Sequence, residues 1–341
     1  MGSIKETGHW PVFEQVLCGE MTDRERLGLP DHYQADCFST EIHSAYEELR
    51  KLSVEQLICI AENPAEILAH RYVAGNLLAV IGDPRINTYE PAMIFIPGGS
   101  VSIGLARDKV KDILATFDDL GLNAAWIEKE CPEHQVQLAS FRIAKYPVTN
   151  QEYRDFLIDT AYPEIPSSWS FRRFPVERSN HPVYTLSAEA CDAYVQWLAS
   201  RTGRDFRLPT ESEWEFAATG TDGREFPWGE KFDPLLANTC ETGIFETSPV
   251  GIFAAGASPF SVMDMAGNVE EYTADLYAAY PDGIKIDDHL SQIHGEYRVA
   301  RGGSFARFRD LARNRRRHGH NPRSATYAMG LRLAESLWPK A

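Results

Sequence analysis

The stretch HPVYTLSAEACDAYVQWLASRTGRDFRLPTESEWEFAATG, residues 181–220, decides the fold because it carries two helix signals around one short extended segment. Ser187 stands where it can cap a helix that ends at Gly203. Thr210 and Glu213 have the spacing of a capping box, in which each side chain accepts a hydrogen bond from the other residue's backbone N–H. Two short capped helices beside short strands predict an α+β fold rather than alternating β and α units.

Further strands and a third capped helix are predicted on the N-terminal side of that stretch. AMIFIPGGSVSIG, residues 92–104, predicts a strand, a turn and a second strand. Two more short strands are predicted at Gln135–Leu138 and Phe141–Ala144. Thr149 begins another capping box, ahead of an apolar helical face. These short strands, joined by turns rich in glycine and proline, indicate an irregular, loop-rich domain.

Residues 1–88 have a different, helical pattern. EIHSAYEELRKLSVEQLICIAEN, residues 41–63, places its apolar residues near helical spacing. Asn63 and Pro64 predict the start of the next helix, as N-cap and first helical residue, and Pro84 predicts its end. We therefore predict a helical N-terminal region over residues 1–88 and a main domain over residues 89–336.

The composition of the 341-residue chain is that of a globular protein, with 43% hydrophobic residues. No apolar run approaches the roughly 18 residues that would span a membrane. The N-terminus has no basic region followed by an apolar one, which predicts that there is no secretory leader and that the protein is cytoplasmic. The six cysteines are scattered without a C-x-x-C pair, so we expect them to be reduced.

The charge is distributed very unevenly. Ten arginines lie between residues 298 and 332, against the single acid Asp310, in a chain whose net charge is −15. The remainder of the chain is therefore strongly acidic. Such a body disfavours nucleic acid and anionic membranes as partners and favours a basic one.

Eight motifs then follow one another in an informative order: MIFIPGG, PEHQVQLASFRIAKYPVTNQEYRDFL, residues 181–220, FPWGE, TSPVGIF, SPFSVMDMAGNVEEYTAD, RVARGGSF and GLRLA. In this order they resemble the formylglycine-generating enzyme (sulfatase-modifying factor) family from Ala92 to about Leu333. The resemblance implies a compact, irregular α+β fold related to C-type lectins, which agrees with the pattern of short strands and capped helices.

The resemblance also implies where the family's chemistry would lie. Active members bind copper through two cysteines placed just after a GGS motif. Alignment on Gly302-Gly303-Ser304 without gaps puts Arg307 and Ala312 at those two places. Arginine supplies no thiolate, and copper(I) prefers soft thiolate ligands. We therefore expect no copper and no formylglycine generation, which predicts a non-enzymatic member of the family.

Calcium is the metal that the resemblance does imply, at one or two structural sites built from oxygen ligands. The first set is the side chains of Asp264 and Glu271 with the carbonyls of Gly267 and Val269. The second set is Asn238, the carbonyl of Thr239, and Glu241. The alternative for both is a turn that side-chain hydrogen bonds stabilise without a metal.

The segment after GGS lines the groove in which active family members bind their peptide substrate, so the resemblance implies a recognition surface there. The residues predicted to contact a partner are Phe305, Arg307, Phe308, Arg309, Arg313, Arg315, Arg316, Arg317 and His318. Arginine and aromatic residues are common in binding hot spots. The alternative is that these arginines pair with the acidic body and have a structural role.

The non-catalytic relatives that this chain resembles include bacterial immunity proteins, which neutralise toxins delivered by type VI secretion. An acidic body suits the capture of a basic toxin, such as a nuclease, whose active site would be occluded. Two alternatives stay open. One is a metal-dependent oxidase or hydroxylase of a natural-product pathway, for which His318, His320 and Asp310 are the available ligands. The other is a scaffold or regulatory domain.

Overall fold

Three small β-sheets, rather than one large sheet, form the frame of the protein in a computed structural model that describes residues 37–320 and 327–337. The helices in these ranges are α1 (Cys37–Leu49), α2 (Val54–Ala61), α3 (Leu68–Ile81), α4 (Val110–Thr116), α5 (Ala124–Glu128), α6 (Asn150–Thr160), α7 (Ala188–Thr202), α8 (Glu211–Thr219) and α9 (His289–His294). The strands are β1 (Met93–Ile96), β2 (Gly99–Ile103), β3 (His134–Leu138), β4 (Phe141–Ala144), β5 (Phe206–Arg207), β6 (Glu270–Leu276), β7 (Arg298–Arg301), β8 (Met329–Leu331) and β9 (Ala334–Ser336). Short 3-10 turns occur at Arg107–Lys109, Asp118–Leu120, Ser170–Arg172, Val176–Arg178, Cys240–Thr242 and Ala254–Gly256.

The largest sheet joins distant parts of the chain. Its strand order is β1-β4-β9-β5, and all of its pairs are antiparallel. A two-stranded sheet pairs β2 with β3. The third sheet has the order β7-β6-β8, in which β6 runs antiparallel to β7 and parallel to β8. The predicted strand–turn–strand at residues 92–104 is confirmed, but its two strands belong to different sheets.

The two helices predicted within residues 181–220 are present with their predicted caps. The hydroxyl of Ser187 accepts a hydrogen bond from the backbone N–H of Ala190 and begins α7, which ends at Gly203 in the left-handed conformation. Thr210 and Glu213 form both bonds of a capping box at the start of α8. The capping box at Thr149 likewise begins α6. These local signals hold because each cap is formed by residues close together in sequence.

The main core lies between α6 and α7 and consists largely of aromatic rings. Tyr194 of α7 stacks on Tyr153 of α6, with ring centroids 6.2 Å apart. Phe156 contacts both Tyr194 and Trp197 at 5.7 Å and 5.4 Å. Such pairs add a specific geometry to the burial of apolar surface and fix how the two helices pack.

The described part of the N-terminal region is helical as predicted and differs from the prediction in one detail. The apolar spacing of residues 41–63 extends over two helices, since Ser53 and Gln56 make a capping box that begins α2. Asn63 does not cap the following helix, which begins at Leu68 with Ile67 as its N-cap. The side chain of Asn63 instead accepts a hydrogen bond from the N–H of Ala65 at 3.0 Å, which closes a local turn.

The helices α1 to α3 pack directly on the rest of the protein. They share an apolar cluster with Ile252 and Phe253, which lie far away in sequence. The side chains of Ser179 and Asn180 donate hydrogen bonds to the carbonyls of Ala79 and Gly75 in α3, at 2.6 Å and 2.9 Å. The boundary at residues 88 and 89 stays a prediction, but the two parts share one core. In the ranges that the structure describes, no helix has the length and hydropathy needed to cross a membrane.

This shared core predicts that the helical region unfolds together with the main domain. Leu78→Ala, at a fully buried position of the cluster, should lower the free energy of unfolding by about 2–5 kcal/mol in a single transition. Val80→Ala, two residues along α3 at a position 58% exposed, is the matched control and should change it by less than about 0.5 kcal/mol. Chemical denaturation followed by circular dichroism measures both. Two separate transitions in the wild-type protein would contradict the shared core.

Candidate functional site

The segment after β7 is a loop closed at its base. Gly302 and Gly303 have φ of +93° and +68°, and a Cβ atom on Gly303 would lie 2.8 Å from the carbonyl carbon of Leu311. Only glycine therefore suits this turn. The chain returns to β7 at His318, which exchanges two backbone hydrogen bonds with Ala300 at 2.8 Å and 3.1 Å. Residues 302–317 are thus held at both ends by one strand.

The two positions aligned with cysteines have different surroundings. Ala312 is fully buried in an apolar cluster with Phe117, Leu120 and Phe226. Arg307 is partly exposed, and its Nε donates a hydrogen bond to Glu270 at 3.1 Å. One position is therefore part of a core, and the other is part of an ion pair.

The thiol of Cys240 lies close to this segment. The backbone N–H of Cys240 donates to the carbonyl of Arg307 at 3.0 Å, and burial raises the pKa of the Cys240 thiol well above its usual range. Cys59, Cys131, Cys191 and Cys240 are all free cysteines, of which only Cys59 is exposed. Cys37 has no described side chain, and Cys18 lies outside the described residues.

Arg317 of the loop and Arg301, the last residue of β7, meet at one glutamate under the loop. Arg317 donates two hydrogen bonds to Glu211, at 2.7 Å and 2.8 Å, and lies over the ring of Tyr280 at 4.0 Å. Arg301 donates to Glu211 at 3.0 Å and to Glu215 at 2.8 Å. Burial raises the pKa of Glu211, but the two guanidinium groups outweigh burial and hold that pKa below its usual value. All of these charged groups are buried, so their interactions stabilise the interior of the protein and not a surface.

A second buried network surrounds Arg313. Its guanidinium donates two hydrogen bonds to Glu130, at 3.0 Å and 2.8 Å, and a further one to Glu225. Arg315 also pairs with Glu225, at 3.3 Å, and donates to the carbonyl of Gly104 at 2.9 Å. Burial raises the pKa of Glu130 even though Arg313 opposes that shift. The loop is therefore anchored to elements from the first half of the chain.

These contacts correct the predicted partner surface. Arg313, Arg316 and Arg317 are at most 4% exposed, and Phe305 is also buried, because their side chains point into the protein. They are unavailable for direct contact with a partner. The remaining predicted contact residues are partly exposed: Arg307, Phe308, Arg309, Arg315 and His318. For these five, contact with a partner stays a prediction, although Arg309 already pairs with Asp119 at 2.6 Å.

A residue that the sequence analysis did not select lies at the centre of the site. Glu270 is fully buried, accepts the hydrogen bond of Arg307, and lies 2.5 Å from Nδ1 of His318. Burial raises its pKa, but His318 and Arg307 outweigh burial and bring the pKa down to about 2. The pKa of His318 is lowered, chiefly by burial. The available signal was its place beside Glu271 in the GNVEEY motif.

The first predicted calcium set does not fit as a whole. Glu271 accepts hydrogen bonds from Arg332 at both carboxylate oxygens, at 2.6 Å and 2.9 Å, and from Trp214 at 2.7 Å. A guanidinium thus already balances its charge, and Glu271 is corrected from a metal ligand to an ion-pair partner. Asp264 accepts from the N–H of Gly251 at 2.7 Å, and burial raises its pKa to about 6. For Asp264 and the carbonyls of Gly267 and Val269, the metal role stays a prediction.

The second predicted set contains an oxygen that suits a cation. Oδ1 of Asn238 is buried and has no hydrogen-bond partner in the described part of the chain, while its Nδ2 donates to the carbonyl of Glu246 at 2.9 Å. Thr239 donates its hydroxyl to Glu241 at 2.6 Å. Glu241 also accepts from the N–H of Arg309 at 2.8 Å. The orphaned buried oxygen of Asn238 suits calcium, which prefers oxygen ligands, while the Glu241 carboxylate also lies 3.5 Å from the Arg309 guanidinium.

Comparison with known proteins identifies similar sequences. The family described as "Sulfatase-modifying factor enzyme 1-like domain" matches residues 81–337. A mouse (Mus musculus) protein named "Inactive C-alpha-formylglycine-generating enzyme 2" is 28% identical over 318 residues, which cover 76% of this chain and 92% of that protein. The "Hercynine oxygenase" of Mycobacterium tuberculosis is 30% identical over 253 residues, which cover 63% of this chain and 58% of that enzyme.

Another relative is much longer than this chain. The "Serine/threonine-protein kinase Pkn1" of Chlamydia trachomatis serovar L2 is 30% identical over 263 residues, which cover 72% of this chain and 38% of the kinase. The chain therefore spans only about two fifths of the chlamydial kinases that it matches. Among solved structures, PvdO from Pseudomonas aeruginosa has the same fold, with a TM-score of 0.55 and 24% identity, covering 73% of this chain and 95% of that one.

The buried ion pairs predict a large difference between arginines of the interior and of the surface. Arg313→Met should lower the free energy of unfolding by about 3–5 kcal/mol, because it leaves the buried carboxylate of Glu130 unpaired. Arg172→Met, at an exposed position, is the control and should cost less than about 0.5 kcal/mol. Urea denaturation at neutral pH measures both values. Similar small losses in the two variants would show that the network contributes little to stability.

Proposed function

Because the chain belongs to the sulfatase-modifying factor enzyme 1-like domain family and has its α+β fold, we propose that it is a non-catalytic protein-binding member. The observation that carries the proposal is the state of the two cysteine positions. Arg307 is held in an ion pair with Glu270, and Ala312 is packed in a core, so neither offers a thiolate for copper. The relative named as an inactive enzyme supports the proposal, since the match covers 76% of this chain and 92% of that relative.

The partner that we propose is a basic protein toxin, which the chain would neutralise as an immunity protein by covering its active site. The charge distribution supports a basic partner. Most arginines of the 301–317 segment are neutralised by carboxylates beneath the loop, while the chain as a whole carries −15. The excess acid is therefore available on the outside. A protein of this charge attracts a basic partner and speeds their encounter.

The acidic face of α1 and α2 is the surface that suits such a partner best. Glu41, Glu47 and Glu48 are exposed on α1, and Glu55 is exposed on α2. Tyr46 of α1 is 46% exposed, so an aromatic side chain is available on the same helix, where Glu47 also pairs with the exposed Arg50 at 3.0 Å. All of these residues precede residue 81, where the match to the family begins. It is an addition to the family domain that a specific partner would recognise.

Capture from a lysate of the source organism, followed by mass spectrometry and co-expression, tests this function. We expect one basic protein at equimolar ratio, and we expect co-expression of the chain to relieve the growth defect which that protein causes. The triple variant Glu41→Lys, Glu47→Lys, Glu48→Lys should lose both effects. The variant Asp108→Lys, Asp112→Lys, Asp118→Lys changes the net charge equally, at exposed positions elsewhere, and should keep both effects.

Two results would contradict this function or the proposed interface. A chain that captures no basic protein, but purifies with stoichiometric iron or copper and consumes oxygen, would overturn the proposal. Protection that survives the α1 variant would instead move the interface away from the acidic face. Growth is the decisive readout, because a protein captured by charge alone would not be neutralised.

A metal-dependent oxidase is the second candidate, and one observation favours it. Glu270 and His318 lie 2.5 Å apart beside Arg307, at the place of the first family cysteine, and the similar hercynine oxygenase is named as an enzyme. These side chains supply two possible ligands. Within residues 37–320 and 327–337, no group of three or more His, Cys, Asp or Glu side chains is placed to hold a metal ion. The non-catalytic function is therefore preferred.

We also propose that one structural calcium ion is held by Asn238, the carbonyl of Thr239 and Glu241. Calcium at 100 times its dissociation constant would add about 2.7 kcal/mol to the free energy of unfolding and raise the melting temperature by several degrees. Asn238→Ala should abolish that rise, while Asn63→Ala, whose Oδ1 already accepts a hydrogen bond in an exposed turn, should keep it. Differential scanning calorimetry with calcium and with chelator measures the effect. Identical melting of the wild-type protein in both buffers would refute the site.

A further inference from the structure

An apolar side chain stands almost entirely in solvent at the tip of the loop between α6 and α7. Phe171 is 96% exposed, the largest exposure among the large apolar residues that the structure describes. Phe171 and Arg172 both have positive φ, of 54° and 57°. Two successive left-handed residues that are not glycine are strained, and such strain is found where a conformation serves a function.

The base of this loop is held firmly, so the tip does not fold back onto the protein. Nε1 of the buried Trp169 donates to Oδ1 of Asn150 at 2.7 Å. Phe174 packs edge-on against Trp169 with ring centroids 5.5 Å apart, and Arg154 lies over the outer face of Phe174 at 4.7 Å. The rings on both sides of the tip are thus anchored, and Phe171 is presented outward by a rigid support.

The charge of the tip is opposite to that of the chain. Arg172 and Arg173 are both exposed next to Phe171, and neither has an acidic partner among the residues that the structure places. The arginines of the 301–317 segment, by contrast, all have acidic partners. The tip therefore combines one aromatic ring with two unpaired cations, a composition typical of a binding anchor.

A cleft of about 560 Å³ lies beside the loop. Its floor and walls include Tyr272, Tyr297, Tyr327 and Leu186. Three carboxylates also line it, from Glu164, Glu189 and Glu296. The cation in the lining, Arg298, is already matched by two hydrogen bonds to Asp192, at 2.7 Å and 2.8 Å. The cleft thus offers aromatic surface together with uncompensated negative charge.

We propose that two copies of this chain pair by placing the Phe171 tip of each in the cleft of the other. The ring of Phe171 would lie against the tyrosines of the cleft, and Arg172 and Arg173 would meet its carboxylates. Glu164, Ile165 and Ser167 belong to the same loop as Phe171 and line the cleft, so the chain itself brings the tip close to the cleft. A two-fold axis requires this placement, because each copy must give its tip and receive the other through one surface.

This pairing is separate from the toxin binding proposed above, because the acidic face of α1 and α2 takes no part in it. A dimer built this way would leave that face free on both copies. It would also remove the exposed ring of Phe171 from solvent by filling the open cleft of the other copy.

Sedimentation velocity of the full chain over a concentration series tests the pairing. We expect the wild-type protein to shift from monomer to dimer with rising concentration, and Phe171→Ala to stay monomeric. Phe95→Ala is the matched control, since Phe95 is 55% exposed on β1, outside both the loop and the cleft lining. Its self-association should equal that of the wild type. Thermal melting of each variant checks that all of them are folded.

A charge exchange makes the test specific to the two surfaces. The variants Arg172→Glu, Arg173→Glu and Glu189→Arg, Glu296→Arg should each be monomeric alone, and a mixture of the two should form a heterodimer. A monomeric wild type at all concentrations would overturn the proposal. Unchanged association of Phe171→Ala, equal loss of association in Phe95→Ala, or failure of the mixture to pair would overturn it as well.

Discussion

The rest of the structure depends on the pairing of buried arginines with buried glutamates beneath the 301–317 loop. Burying a guanidinium costs much free energy unless carboxylates and carbonyls accept its hydrogen bonds. Each buried arginine is therefore compatible with only a few conformations of the chain around it. Arg313 reaches Glu130, and Arg301 and Arg317 reach Glu211. These contacts tie the loop to α8 and to the segment before β3. The ion pairs thus determine the shape of a region that has little regular secondary structure.

This constraint shows how the protein holds the family fold with Arg307 and Ala312, rather than thiols, in this loop. The loop turns through Gly302 and Gly303, and its closing bonds at Ala300 and His318 do not depend on a thiol. Arg307 is held in the loop by its ion pair with Glu270, at 3.1 Å.

Prediction from sequence was accurate for interactions between residues close together in the chain and failed for interactions between residues far apart in it. The helix starts at Thr149, Ser187 and Thr210 were predictable, since a cap and its acceptor lie three residues apart. The cap expected at Asn63 was wrong because the same side chain can close a turn of its own. The arginines were predicted as a partner surface, with pairing to the acidic body as the alternative, because sequence spacing does not show that their partners lie about 90 to 190 residues away. Glu270 and Glu271 are adjacent in sequence, yet they pair with Arg307 and Arg332 respectively, because the tertiary structure and not the sequence spacing decides which cation each one meets.

The sequence by itself determined the family, the α+β class, the capped helices and the presence of Arg307 and Ala312 after the GGS motif. Each of these follows from residue identity or from spacing within a few residues. Only the tertiary structure decided which charges are inside and which are outside. It buried Arg313, Arg316 and Arg317 and left Arg172 and Arg173 in solvent, although all five are the same residue type. The physical reason is that the cost of burying a charge depends on partners that only the complete fold brings together.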